Sequence, residues 1–345
     1  MGIGAVVVAG VAAVATVALF PGDSASACSG APVGSVVEGT LRADGATECF
    51  VFRGDADDDV LLRIDDGDGD GLFVANMQVL RPDGSQLDGC ADSGTYEAEV
   101  ICPLDVSGDH VVEVTRMVGN YEGDFAFTWR SLTSSEGCTI AESSTITTGI
   151  IEHESKPACF AADLTAGQSI FMRANEADDT FFAGSVRVVR PDGTVRPDCN
   201  DSATYAVAAF CDIDMTGEHL VLLTQSVNDD GPMTLWWQRL DDPSECVSAP
   251  VSGQATVVIP SKAQPSCLRV TGEQDDNAVI EISSDRGAFG GLWLIRPDGS
   301  LTGCDGVWAD ERRVECVLDV TGDHIILLTS DLGGGPYSVK LTWSR

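Results

Sequence analysis

Leu318-Asp319-Val320-Thr321-Gly322-Asp323-His324 leads directly into Ile325-Ile326-Leu327-Leu328, and the chain carries the same phrase twice more. The other copies are Leu104-Asp105-Val106-Ser107-Gly108-Asp109-His110 before Val111-Val112-Glu113-Val114, and Ile213-Asp214-Met215-Thr216-Gly217-Glu218-His219 before Leu220-Val221-Leu222-Leu223. A polar bend containing glycine that opens onto an aliphatic run is a loop entering a β-strand. Three copies mean that one unit has been repeated.

Outward from this phrase, every other landmark recurs with it. The cysteines fall in three sets of four: Cys28, Cys49, Cys90 and Cys102; Cys138, Cys159, Cys199 and Cys211; Cys246, Cys267, Cys304 and Cys316. The first two of each set are 21 residues apart and the last two 12 apart, whereas the middle gap varies as 41, 40 and 37, which places the length changes in a loop. Before each third cysteine stands an Arg-Pro-Asp-Gly turn, at Arg81–Gly84, Arg190–Gly193 and Arg296–Gly299. Proline presets the first bend, aspartate caps it and glycine takes the left-handed exit, so each turn predicts a hairpin. Each unit closes with an alternating strand: Phe125, Phe127, Trp129; Met233, Leu235, Trp237; Tyr337, Val339, Leu341. Period two with one apolar face predicts a half-buried strand.

Short strands, turns about every ten residues and no helical periodicity after residue 27 predict an all-β chain of three tandem antiparallel β-sandwich domains. Their expected bounds are 28–133, 134–241 and 242–345, joined by short linkers into a semi-rigid string. A length of 345 residues accommodates three such cores.

Residues 3–20 are apolar, Met1–Phe20 hold no charged side chain, and Ala25-Ser26-Ala27 has the form cut by a signal peptidase. Residues 1–27 are therefore expected to be a signal peptide, which makes the mature chain secreted; retained, residues 3–20 would instead anchor it in a membrane. Export makes disulfides the default, and four cysteines allow three connectivities per unit. The fixed gaps favour pairing of neighbours: Cys28 with Cys49, Cys90 with Cys102, and their equivalents. Thiolate zinc would want C-x-x-C pairs, and none occurs. Cys28 directly after small residues also suits lipidation, but it is equivalent to Cys138 and Cys246, so it is expected to have a disulfide partner.

Lys and Arg number 20 against 54 Asp and Glu, a formal charge of −34 that repels nucleic acid and anionic lipid head groups. Such acidity keeps an extracellular protein soluble and monomeric. No enzyme motif appears. His110, His219 and His324 occupy one equivalent position, which suits packing rather than catalysis, and neither H-E-x-x-H nor G-x-S-x-G occurs. Asp66-Gly67-Asp68-Gly69-Asp70-Gly71 matches the opening of a calcium loop, making Asp66, Asp68 and Asp70 candidate calcium ligands, although the twelfth position is Met77 rather than glutamate. Trp293 is expected to point outward, because Leu292 beside it takes the other face of its strand. Tyr96, Tyr205 and Trp308 recur between the third and fourth cysteines, where a ring can stack on a sugar or polypeptide or pack over the disulfide.

The order Gly39-Thr40-Leu41, Phe50-Val51-Phe52, Met77 to Leu80, Pro82-Asp83-Gly84, Gly108-Asp109-His110 and Gly123-Asp124-Phe125, with its counterparts across residues 28–345, resembles the bacterial pre-peptidase C-terminal domain. The resemblance implies a jelly-roll-like sandwich of the kind that accompanies secreted hydrolases and sometimes binds calcium and insoluble polymer such as collagen. The chain departs from that family in having histidine where tyrosine is usual, in its cysteine framework, and in carrying no protease domain. Together these readings predict a secreted, non-catalytic binding or adhesion protein with an extracellular polymer or protein as partner. The alternatives are a structural spacer or envelope component without a ligand, and an accessory protein of a secreted hydrolase.

Overall fold

A computed structural model describes residues 28–41, 47–66, 75–94, 97–116, 123–153, 156–176, 184–203, 206–225, 231–283, 290–304, 313–330 and 335–344. The expected signal peptide or anchor at residues 1–27 lies outside them, and among the described residues no helix is long and apolar enough to cross a membrane. The chain forms two compact units, Met1–Ser131 and Leu132–Arg345. The first holds one sandwich and the second holds two.

In the first unit the strands are β1 (Ser29–Gly30), β2 (Val37–Leu41), β3 (Glu48–Gly54), β4 (Asp59–Asp66), β5 (Ala75–Leu80), β6 (Gln86–Gly94), β7 (Glu97–Pro103), β8 (Gly108–Arg116) and β9 (Gly123–Ser131). They make two sheets, ordered β1-β3-β8-β5-β6 and β2-β9-β4-β7. All pairings are antiparallel except that of the two-residue β1 with β3. The core between the sheets is set by alternation: Phe50 and Phe52 of β3 and Phe125, Phe127 and Trp129 of β9 all point inward. Phe50 stacks on Phe127 at 4.8 Å, and the Trp129 indole nitrogen donates to Ala31 O at 2.8 Å, so its one polar atom is satisfied inside.

The second unit repeats this plan twice. One sandwich has β10 (Thr139–Ile140), β11 (Thr147–Ile151), β12 (Ala158–Leu164), β13 (Ser169–Glu176), β14 (Gly184–Val189), β15 (Asp201–Ala203), β16 (Val207–Asp212), β17 (Gly217–Gln225) and β18 (Gly231–Arg239). Its sheets run β10-β12-β17-β14-β15 and β11-β18-β13-β16. The other has β19 (Val247–Ser248), β20 (Gly253–Ile259), β21 (Ser266–Gly272), β22 (Asn277–Ser283), β23 (Leu292–Ile295), β24 (Arg313–Val317), β25 (Gly322–Leu328) and β26 (Gly335–Ser344), in the orders β19-β21-β25-β23 and β20-β26-β22-β24. No α-helix occurs among the described residues. The fold is all-β, three jelly-roll-like sandwiches in tandem.

Five disulfides join neighbours in sequence: Cys28–Cys49, Cys138–Cys159, Cys199–Cys211, Cys246–Cys267 and Cys304–Cys316. They are of two kinds. The 21-residue loops tie the chain just ahead of the first strand of each repeat to its third strand, β3, β12 or β21. In the second repeat the 12-residue loop reaches from Cys199, ahead of β15, to Cys211 on β16, and so staples one sheet to the other through the core.

The expected sixth bridge is not formed. Cys90 on β6 and Cys102 on β7 are both buried thiols in the core of the first repeat. Folding alone brings them into contact, and closing them requires removal of two electrons and two protons. Cys102, hydrogen-bonded to Cys90 and desolvated by the core, has its pKa pushed far above the ordinary thiol range and stays protonated.

A second difference concerns β18. Alternation of Met233, Leu235 and Trp237 predicted a strand buried on one face, but β18 is buried at every position from 233 to 238, and its neighbour β13 at all eight. Ile170, Met172 and Ala174 enter their own core, while Phe171 turns the other way into a separate cluster with Trp236, Leu240, Ile295, Ile325 and Leu327. The outer face of the β11-β18-β13-β16 sheet is thus covered by the last repeat. The two sandwiches are locked face to face rather than strung on a linker.

Candidate functional site

Each Arg-Pro-Asp-Gly turn is fastened to the loop that precedes the buried histidine. The Arg81 guanidinium donates through Nε and Nη2 to both carboxylate oxygens of Asp105, as Arg190 does to Asp214 and Arg296 to Asp319, at 2.6–3.2 Å across the three. The turn aspartate accepts from the residue two positions on, with Ser85 N donating to Asp83 at 2.9 Å. Gly108 sits at φ 145°, and an added Cβ there would lie 2.7 Å from Pro82 Cγ; Gly217 and Gly322 repeat both features against Pro191 and Pro297. The hydrogen bond and charge of the arginine hold Asp105, Asp214 and Asp319 below the usual carboxylate range. Sequence reading recognised the turn and missed the clamp. Its signal was present as a nearly constant Arg-to-Asp separation of 24, 24 and 23 residues.

The histidines complete this corner. His110, His219 and His324 are fully buried, and each Nδ1 lies 3.0–3.2 Å from the carbonyl oxygen of Gly108, Gly217 or Gly322. A carbonyl accepts, so a proton sits on Nδ1, and burial without a counter-charge in contact favours the neutral ring. Burial lowers all three pKa values. These rings serve packing: His110 stacks on Phe52 at 5.4 Å.

Of the aromatic candidates only Trp293 is described. It points away from its own core as expected, but its ring meets the neighbouring repeat instead of solvent, 5.6 Å from Phe171 and 5.4 Å from Phe210. Its outward direction comes from strand alternation and its burial from the face-to-face lock, so it is not a free stacking platform. Tyr96, Tyr205 and Trp308 lie outside the described residues, as do Asp68 and Asp70 of the acidic loop; Asp66 ends β4. Among the described residues no group of three or more His, Cys, Asp or Glu side chains converges on one point.

Among the described residues, the lock leaves a concave surface in the second unit. A groove of about 480 Å³ is lined by Ser144, Trp236 and Gln238 of the second repeat and by Glu245, Val247, Thr256–Val258 and Gln264–Cys267 of the third. Its floor is held by Gln238, whose Nε2 lies 3.5 and 3.3 Å from the Cys246 and Cys267 sulfurs. Arg173, itself buried, donates across the interface to Lys262 O at 2.7 Å and Ser330 O at 3.1 Å. Ser144 Oγ donates to Glu245, fixing that carboxylate at the rim. Val247 and Val258 stand open to solvent at 62% and 59%. Sequence reading did not find this groove, because its two walls come from different repeats.

No family model matches the chain, and no curated protein matches it. Among solved structures, the chain is similar to tripeptidyl peptidase 2 at 10% identity and a TM-score of 0.20, over 86% of this chain and 34% of that one. It therefore spans about a third of that chain. The entire lipid-containing bacteriophage PM2 gives 8% identity and a TM-score of 0.16, covering 90% of this chain and 100% of that one. Lac15 from a marine microbial metagenome gives 11% and 0.15, covering 88% and 89%. Likeness at this level carries no functional argument.

Proposed function

We propose that the chain is an exported, non-catalytic binding protein built from three sandwich modules of the pre-peptidase C-terminal type, with an extracellular polymer or protein as its ligand. The observation that carries this reading is the preformed groove between the second and third repeats. It is concave, has an apolar and disulfide-braced floor, and presents hydroxyl and amide groups with a single carboxylate. A concave surface with an apolar floor and a few placed polar groups is the common form of a ligand site. The burial of His110, His219 and His324 supports the non-catalytic part, since none can reach a substrate. Five disulfides fit an oxidising compartment such as the extracellular space. The rigid lock between repeats also suits a spacer without a ligand.

Co-sedimentation of the purified chain with insoluble collagen, chitin and cellulose, in millimolar calcium and in chelator, tests the reading alongside peptide, ester and glycoside hydrolysis assays. Retention on at least one polymer without turnover is the expected result. Turnover that co-purifies with the chain overturns it, and no retention on any polymer leaves a protein ligand or the spacer. Loss of retention in chelator would assign the acidic loop at Asp66, Asp68 and Asp70 to calcium.

A further inference from the structure

Strand β20 forms one edge of its sheet and pairs only with β26. Val258 O points to the open side, where it accepts from Ser266 Oγ at 2.7 Å. Because N–H and C=O of alternate residues share a side in an antiparallel strand, the main-chain groups of Thr256 and Gln254 face the same way. Outside its pairing with β26, no hydrogen bond to the main chain of Thr256 is made among the described residues. This edge runs along the groove, with Thr256, Val257 and Val258 forming part of its wall.

Natural sheets guard such edges with charge, proline or cover. Gly253-Gln254-Ala255-Thr256-Val257-Val258-Ile259 has neither charge nor proline, and it exposes Val258 beside Val247. In the first repeat the equivalent β2 carries Glu38. An unguarded edge beside a preformed groove has the form of a strand-addition site. The candidate occupants differ in charge. A second copy of this chain would bring another −34 charges against the first, whereas a cationic segment is drawn to the chain as a whole and to Glu245 at the rim.

We infer that the groove beside β20 receives an extended, lysine- or arginine-bearing segment of another protein, which pairs with the open edge at Thr256 and Gln254 and lays an apolar side chain over Trp236 and Val258. This inference rests on the binding-protein reading and names its ligand class.

The test is fluorescence anisotropy of the full chain with a labelled ten-residue peptide alternating valine and lysine. The same peptide N-methylated on alternate residues and a valine–glutamate peptide serve as controls. Thr256→Pro removes an outward N–H at an edge position where proline is tolerated, and Val258→Lys places a guard charge on an already exposed position; thermal melts check that both fold. The expected result is binding of the valine–lysine peptide alone, weakened about tenfold or more by either variant, a loss of about 1.4 kcal/mol or more. Equal binding by wild type and both variants would reduce the effect to the general acidity of the surface and overturn the inference, as would no binding at all. Polymer co-sedimentation separates this from failure of the broader reading: retention of wild type and Thr256→Pro alike would leave a binding protein whose ligand lies elsewhere.

Discussion

At Arg296 the guanidinium spans Asp319 with two nitrogens, and the loop so held presses Gly322 against Pro297 and turns His324 inward. The consequence of that geometry is a pH dependence. The imidazoles of His110, His219 and His324 have pKa values lowered chiefly by burial, opposed by the bond to glycine oxygen and by the nearby Asp105, Asp214 and Asp319. The unfolded chain binds protons near pH 6.5 while the folded one does not, so stability falls as pH drops from about 7 through that value. Urea unfolding at pH 7.5, 6.5 and 5.5 should show a falling midpoint, and His219→Phe, which keeps a ring in place, should flatten the fall. A midpoint that stays level or rises over this interval would contradict the neutral-ring assignment. Relief of carboxylate repulsion and loss of the Arg–Asp clamps both belong to lower pH, around and below about 4. A backbone counterpart is Gly322→Ala: at φ 149° and 2.6 Å from Pro297 Cγ, a Cβ should cost about 1–3 kcal/mol, read as a lowered urea midpoint.

The strands divide into those whose surroundings are local and those whose surroundings are another repeat. The Arg-Pro-Asp-Gly hairpin between β5 and β6, the inward Phe125, Phe127 and Trp129 of β9, and five of six neighbour disulfides followed from spacing and alternation, because each is decided within one sandwich. Strand β13 did not. Its sequence, Ser-Ile-Phe-Met-Arg-Ala-Asn-Glu, lacks alternation because both faces are covered, one by the core and the other by the last repeat. Trp293 was legible in direction and not in destination for the same reason. The Cys90–Cys102 pair shows that spacing fixes proximity but not redox state. Thiol titration by mass spectrometry checks this: the native, unreduced chain should take up no iodoacetamide, and the denatured, unreduced chain should take up two equivalents, both at Cys90 and Cys102. Zero would mean a sixth bridge, and more than two would mean that one of the five is open.

Across the second unit, the account rests on the claim that two stapled sandwiches act as one body through Phe171, Phe210 and Trp236 on one side and Trp293, Ile295, Ile325 and Leu327 on the other. Leu327 is fully buried, yet it faces the neighbouring repeat while Ile326 and Leu328 fill its own core. Burial of such a side chain contributes about 1.5–3 kcal/mol, so a charge at this position should part the repeats without emptying either core. The groove beside β20 depends on this lock, since its walls come from both repeats. The most direct measurement is hydrogen exchange by mass spectrometry on the full chain and on Leu327→Asp. The wild type should lose protection in β13, β18, β21 and β25 together, as one cooperative opening, and Leu327→Asp should split these into two openings with β13 and β18 separate from β21 and β25. Separate openings already in the wild type, or an unchanged single opening in Leu327→Asp, would contradict the face-to-face lock.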